Sequence, residues 1–190
     1  MKDLNILKYN RHWEKGLRYP FPKKREIFNT LLKCLQDRRI VQLTGLRRTG
    51  KTVLLQQIIN HILGEVASPF SIWYFTFDEE QVNLDDLFQI FSRQTGLEHK
   101  KEKIYIFLDE VQKLQNFQNQ LKVYYDQYPG PKFFISGSKS LLKEKPGEPG
   151  RQDNEFSSST VEFQRIPAFQ RKGRSPGKAP GFQGGDRKGV

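Results

Sequence analysis

Apolar positions fall into two kinds of run along this chain. Four short stretches are almost continuously apolar: RIVQLTG (39–45), SIWYFTF (71–77), KIYIFLDE (103–110) and PKFFISGS (131–138). Their length and their β-branched and aromatic content predict strands buried on both faces. Between them the period changes to that of a helix. Within FPKKREIFNTLLKCLQDR (21–38), Ile27, Leu31, Cys34 and Leu35 line one face. KTVLLQQIINHIL (51–63) predicts a helix apolar on most of its surface, hence covered on several sides. NLDDLFQIF (83–91) opens a helix with Asn83 as its cap and two aspartates in the first turn. KLQNFQNQLKVYYDQY (113–128) puts Leu114, Phe117, Leu121 and Tyr124 in register, and SLLKE (140–144) predicts a last helical turn.

Strands that alternate with helices and are apolar throughout predict an α/β fold, with a mainly parallel sheet in a three-layer α/β/α arrangement. Three regions follow. Residues 1–22 are irregular, with Tyr9, Trp13, Tyr19 and Phe21 draped over the core. Residues 23–148 form the core. Residues 149–190 are rich in Gly, Pro and Arg, and this composition predicts disorder.

Composition narrows the function classes. The 190 residues suffice for one domain plus a tail. No apolar run approaches the roughly 20 residues needed to span a bilayer. MKDLNILKYNRHWEKG lacks the apolar segment of a signal peptide. The expectation is a cytoplasmic protein without a membrane span. One cysteine excludes an internal disulfide framework and a cysteine-based zinc site, and the spacing of Cys34 reads as core. His12, His61 and His99 are scattered and are assigned no metal. A formal charge of +11 favours polyanionic partners, although the charges are dispersed and solvated lysines are the plainer reading.

The first strand runs into GLRRTGKT, which fits G-x-x-x-x-G-K-[ST], a phosphate-binding loop. Gly45 and Gly50 let the backbone turn so that successive amides face a phosphate. The loop opens a helix, whose N-terminus favours negative charge. The candidate phosphate-binding set is therefore the whole loop: Gly45, Leu46, Arg47, Arg48, Thr49, Gly50, Lys51 and Thr52. Lys51 is placed to reach the β- and γ-phosphates, and the Thr52 hydroxyl to ligate Mg2+. The alternative is a plain strand–turn–helix corner. Arg47 and Arg48 are left open between phosphate contact, packing on the sheet and facing a neighbouring subunit.

KIYIFLDE supplies a partner to the loop. Asp109, at a strand end, is suited to hold hydrated Mg2+. Glu110 follows it and is suited to orient and deprotonate a water attacking the γ-phosphate. Ser136 and Ser138 end the fourth strand, where a hydroxyl would sense the γ-phosphate or simply belong to a turn. In a parallel sheet all three motifs lie at the carboxyl ends of strands, where ligands bind.

The loop GLRRTGKT, the strand end IFLDEVQ, the helix LKVYYD and the strand FFISGS together resemble the archaeal and bacterial AAA-type ATPase family, over about residues 8–148. The resemblance implies a RecA-like ATPase core followed by a lid and a further domain. It also implies binding of ATP and Mg2+ at Gly45, Gly50, Lys51, Thr52 and Asp109, with Glu110 as the catalytic base. Lys51 and Ser136 complete the candidate catalytic set.

The family pattern breaks after Glu148. A Ser-Leu-Ala-Gly-Arg run, a strand and a Leu-Ser-Phe-Arg-Glu-Phe-Leu-like run are expected there; Pro149, Gly150, Arg151 and Gln152 stand instead. Shifting the reading frame by one base, with suitable synonymous codons, recovers both runs. Residues 149–190 are therefore expected to be translated out of frame, which the coding DNA near codon 148 tests. The core would then lack the strand flanking RIVQLT and the lid, leaving that edge unpaired. The rival reading is a genuine basic tail that binds nucleic acid through Phe156, Phe163, Phe169 and Phe182.

The expected function is magnesium-dependent ATP hydrolysis. The alternatives are a nucleotide-binding but catalytically impaired fragment, and a nucleic-acid-binding protein regulated by ATP. A protein or nucleic-acid partner and an oligomeric state are left open.

Overall fold

A computed structural model describes residues 4–66, 68–138 and 158–163. Among the described residues, five parallel strands form one sheet in the order β2-β3-β4-β1-β5. They are β1 (Ile40–Gly45), β2 (Ile72–Thr76), β3 (Tyr105–Asp109), β4 (Lys132–Gly137) and β5 (Ser158–Phe163). The helices are α1 (Ile27–Lys33), α2 (Lys51–Ile62), α3 (Leu84–Thr95) and α4 (Phe117–Gln127). Because every pair is parallel, Gly45, Asp109 and Gly137 emerge at the same edge of the sheet.

The pleat assigns the helices to faces. Trp73 stacks on Phe91 with centroids 4.8 Å apart, and Phe88 meets both Trp73 and Phe133. These contacts bring α3 onto the face that Trp73 and Phe133 share. Tyr124 of α4 packs on Phe88 and donates a hydrogen bond to Asp85, joining α4 to α3. Tyr74 points the other way, as the next residue in a strand must. On its face Phe107 and Phe134 stack at 4.8 Å, and the first turn of α2 reaches the sheet. The layers are those of the expected α/β fold.

Element bounds differ from the sequence pattern where local chemistry decides. The first helix covers Ile27–Lys33 and not 21–38. Residues 21–25 before it are outside any helix or strand, and Gln57 of α2 donates to the carbonyls of Phe21 and Lys23. After it, the Asp37 side chain accepts from the Arg39 N–H and turns the chain into β1. Cys34 is half-buried against the core. Asn83 caps α3 by accepting from the Asp86 N–H at 2.7 Å, and α3 runs on to Thr95 until Gly96 takes φ +73°. α4 begins only at Phe117, after Asn116 turns the chain at φ +53°.

The sheet edges differ most from expectation. β5 pairs with β1 along Ile40–Gly45, so the edge expected to be open is covered. The reason lies in the composition of the segment. The glycines and prolines that dominate 149–190 are absent from Ser158–Phe163, which carries Thr160, Val161 and Phe163. The expected turn at 140–144 and the rest of 149–190 lie outside the described residues. At the other edge, the N-terminal segment seals β2. Asn10 accepts from the Tyr74 N–H at 2.8 Å and donates to the Tyr74 carbonyl at 3.0 Å. His12 and Trp13 meet the Ile72 carbonyl at 3.0 and 2.9 Å. Among the described residues no helix is long and apolar enough to cross a membrane.

Candidate functional site

β1 ends at Gly45 and the loop turns through two left-handed residues, Arg48 at φ +60° and Gly50 at φ +93°, before α2 begins. Alternating left- and right-handed backbone of this kind turns successive N–H groups toward one point. Thr49 staples the turn by donating to the Leu46 carbonyl at 2.8 Å. Gly50 also meets a close neighbour, since a Cβ there would lie 3.2 Å from the Arg25 guanidinium. Lys51 is 4% exposed and its ammonium donates to the Leu46 carbonyl at 3.1 Å and, more weakly, to the Gly45 carbonyl at 3.4 Å. Leu46, Arg47 and Arg48 are exposed, so neither arginine is buried against the sheet.

Asp109, at the end of β3 and 2% exposed, gathers the second half of the site. Its Oδ2 accepts from the Thr52 hydroxyl at 2.6 Å and from the Tyr74 hydroxyl at 3.1 Å. Its Oδ1 accepts from the Ser136 hydroxyl and from the Glu110 N–H at 3.1 Å. Strand order explains this meeting: β4 lies between β1 and β3, so Ser136 stands between the loop and Asp109. Burial, followed by the neighbouring Asp109 charge, raises the Tyr74 hydroxyl well above its usual pKa, so it remains a donor.

Glu110 has φ +54°, a left-handed backbone that is uncommon for a side chain of this kind and typical of functional turns. That turn sets its carboxylate 4.0 Å from the Lys51 ammonium. Its other oxygen accepts from the side-chain amide of Gln112. The structure thus brings Lys51, Thr52, Asp109, Glu110 and Ser136 together at one edge of the sheet.

Sequence reasoning missed three residues of this neighbourhood. Tyr74 reads as core inside an apolar strand; its pleat parity with Asp109 was the available signal. Gln112 closes the IFLDEVQ run that carries the family resemblance, but no role was assigned to it. Arg25 gave no signal in the sequence.

The oxygen donors suit Mg2+. Thr52 and Asp109 are hard ligands already within hydrogen-bond reach of each other. Among the described residues no group of three or more His, Cys, Asp or Glu is placed to hold a metal. A cation here would therefore be completed by phosphate and water oxygens, which is how magnesium is commonly bound.

Comparisons with known proteins bear on the fold and the family. The uncharacterized protein MJ1637 of Methanocaldococcus jannaschii is 33% identical over 141 residues, covering 68% of this chain and 29% of that protein. The chain thus spans less than a third of that relative's length. A DNA polymerase III gamma subunit-related protein from Thermotoga maritima shares the fold, with a TM-score of 0.51 at 10% identity, over 75% of this chain and 47% of that one. The sequence model of the AAA domain matches residues 37–158, from just before β1 to the start of β5. This match extends over more than half of the chain, and with the parallel sheet in place the chain belongs to the AAA domain family, a family of P-loop ATPases.

Proposed function

We propose that this chain binds ATP with Mg2+ and hydrolyses it to ADP and phosphate. One observation carries the reading: the Thr52 hydroxyl lies 2.6 Å from Asp109 while Lys51 lies 4.0 Å from Glu110, so both acids face the phosphate loop. The loop amides and the N-terminus of α2 would cradle the phosphates. Lys51 would exchange its contacts with the Leu46 and Gly45 carbonyls for phosphate oxygens. Thr52 and Asp109 would hold Mg2+, which when bound neutralises charge developing on the β- and γ-phosphates. Glu110 would orient a water and take its proton. Ser136, bonded to Asp109, would hold that carboxylate in place.

The test has two parts. Mg-ATP at about 100 times its Kd should stabilise the chain by about 2.7 kcal/mol, read as a rise in Tm, and Lys51→Ala should abolish that rise. Glu110→Gln should keep the rise and lower turnover by about a hundredfold or more. No rise in the wild-type chain would overturn nucleotide binding. A rise without turnover would leave a nucleotide-binding core that does not hydrolyse ATP.

A further inference from the structure

The side chain of Gln112 uses both ends of its amide inside the site. Its NH2 donates to Glu110 Oε2. Its carbonyl oxygen accepts from the Ser138 N–H, just past the end of β4, at 3.3 Å. The partners settle which end is which, because a carboxylate only accepts and a backbone N–H only donates. Glu110 Oε1 meanwhile faces Lys51 at 4.0 Å. The carboxylate is thus held at both oxygens, one toward the phosphate loop and one toward β4.

The geometry points to Gln112 as a positioning residue that sets the Glu110 carboxylate and ties it to the tip of β4. This rests on the reading of Glu110 as the base for ATP hydrolysis. Two residues before Ser138, Ser136 donates to Asp109. The tip of β4 therefore carries one bond to each acid: Ser136 to Asp109 directly, Ser138 to Glu110 through Gln112. A γ-phosphate that reaches this tip would shift the partners of both acids together. Holding the base matters because a free glutamate side chain samples many rotamers, and a misplacement of about 1 Å is worth up to roughly a hundredfold in rate.

Two variants separate this role from a merely structural one. Gln112→Leu keeps bulk and loses both bonds. Gln112→Glu keeps an acceptor for Ser138 but sets a carboxylate against Glu110. Both are expected to lower kcat by roughly tenfold or more, with ATP affinity within about twofold of wild type. If Gln112 served only to tie the turn to Ser138, Gln112→Glu would turn over like wild type, and that result would overturn the inference.

A second readout needs no turnover. The side-chain amide signals of Gln112, followed by NMR in the 15N-labelled chain, should move on Glu110→Ala and again on adding Mg2+ with a non-hydrolysable ATP analogue. Signals indifferent to both would overturn the inference even in an active enzyme. A wild-type chain that binds the analogue and moves these signals, yet never hydrolyses ATP, would remove the hydrolysis reading and keep the link from Gln112 to Glu110.

Discussion

Asp109, itself buried, receives four donors, three hydroxyls and one N–H. Hydrogen bonds to a charged group are worth about 1.5–3 kcal/mol each, so this cluster orients the carboxylate firmly. Thr52 and Asp109 were legible as a pair because each belongs to a motif with fixed spacing. Tyr74 was not, because its hydroxyl reaches Asp109 only through the register that sets Thr76 opposite Asp109. Gly130 is another residue whose role depends on a distant neighbour. A Cβ at that position would lie 2.5 Å from the Glu102 carbonyl oxygen, a backbone atom that cannot swing aside. Gly130→Ala should therefore destabilise the chain by about 1–3 kcal/mol, read from denaturant unfolding. Gly130 leads into β4, and the Lys132 N–H bonds the Ile104 carbonyl at 2.8 Å, so the strain would fall on the strand that carries Ser136. Wild-type stability in this variant would show that the turn can move.

Among the elements, the central strands were the most readable, since burial on both faces forces an unbroken apolar run. Their neighbours were less so. Strand order depends on crossovers that the pattern does not encode, and β5 lay inside a stretch whose overall composition reads as unstructured. The N-terminal segment was expected to drape over the core; its specific work is to complete β2. Asn10, 1% exposed, stands in for a neighbouring strand by pairing with both backbone groups of Tyr74. Asn10→Ala would leave those groups buried without these partners. The expected cost is about 2–6 kcal/mol, from two groups at roughly 1–3 each, measured by chemical denaturation. A loss below about 0.5 kcal/mol would mean that water replaces the side chain there.

For the molecule as a whole, His12 links this seal to pH. Burial lowers its pKa to about 4, against the raising effect of the Ile72 carbonyl and with a small further push down from Arg18. The unfolded chain takes up a proton near pH 6.5, and the folded chain not until about pH 4. Stability from this group is therefore complete above about pH 6.5 and falls as pH drops through that window, by roughly 3 kcal/mol in all. His99, also lowered by burial, acts in the same sense. Tm should fall between about pH 7 and pH 4.5, and His12→Gln should flatten part of the fall. An equal slope in that variant would assign the effect elsewhere. The strand order has a consequence for synthesis as well. β1 carries the phosphate loop, yet both of its neighbours, β4 and β5, come later in the chain. On a ribosome adding roughly 5–20 residues per second, Ile40–Gly45 would wait several seconds with both edges bare. The nucleotide site would be among the last parts of the nascent chain to mature, and a chaperone that shields IVQL would serve it best during that interval.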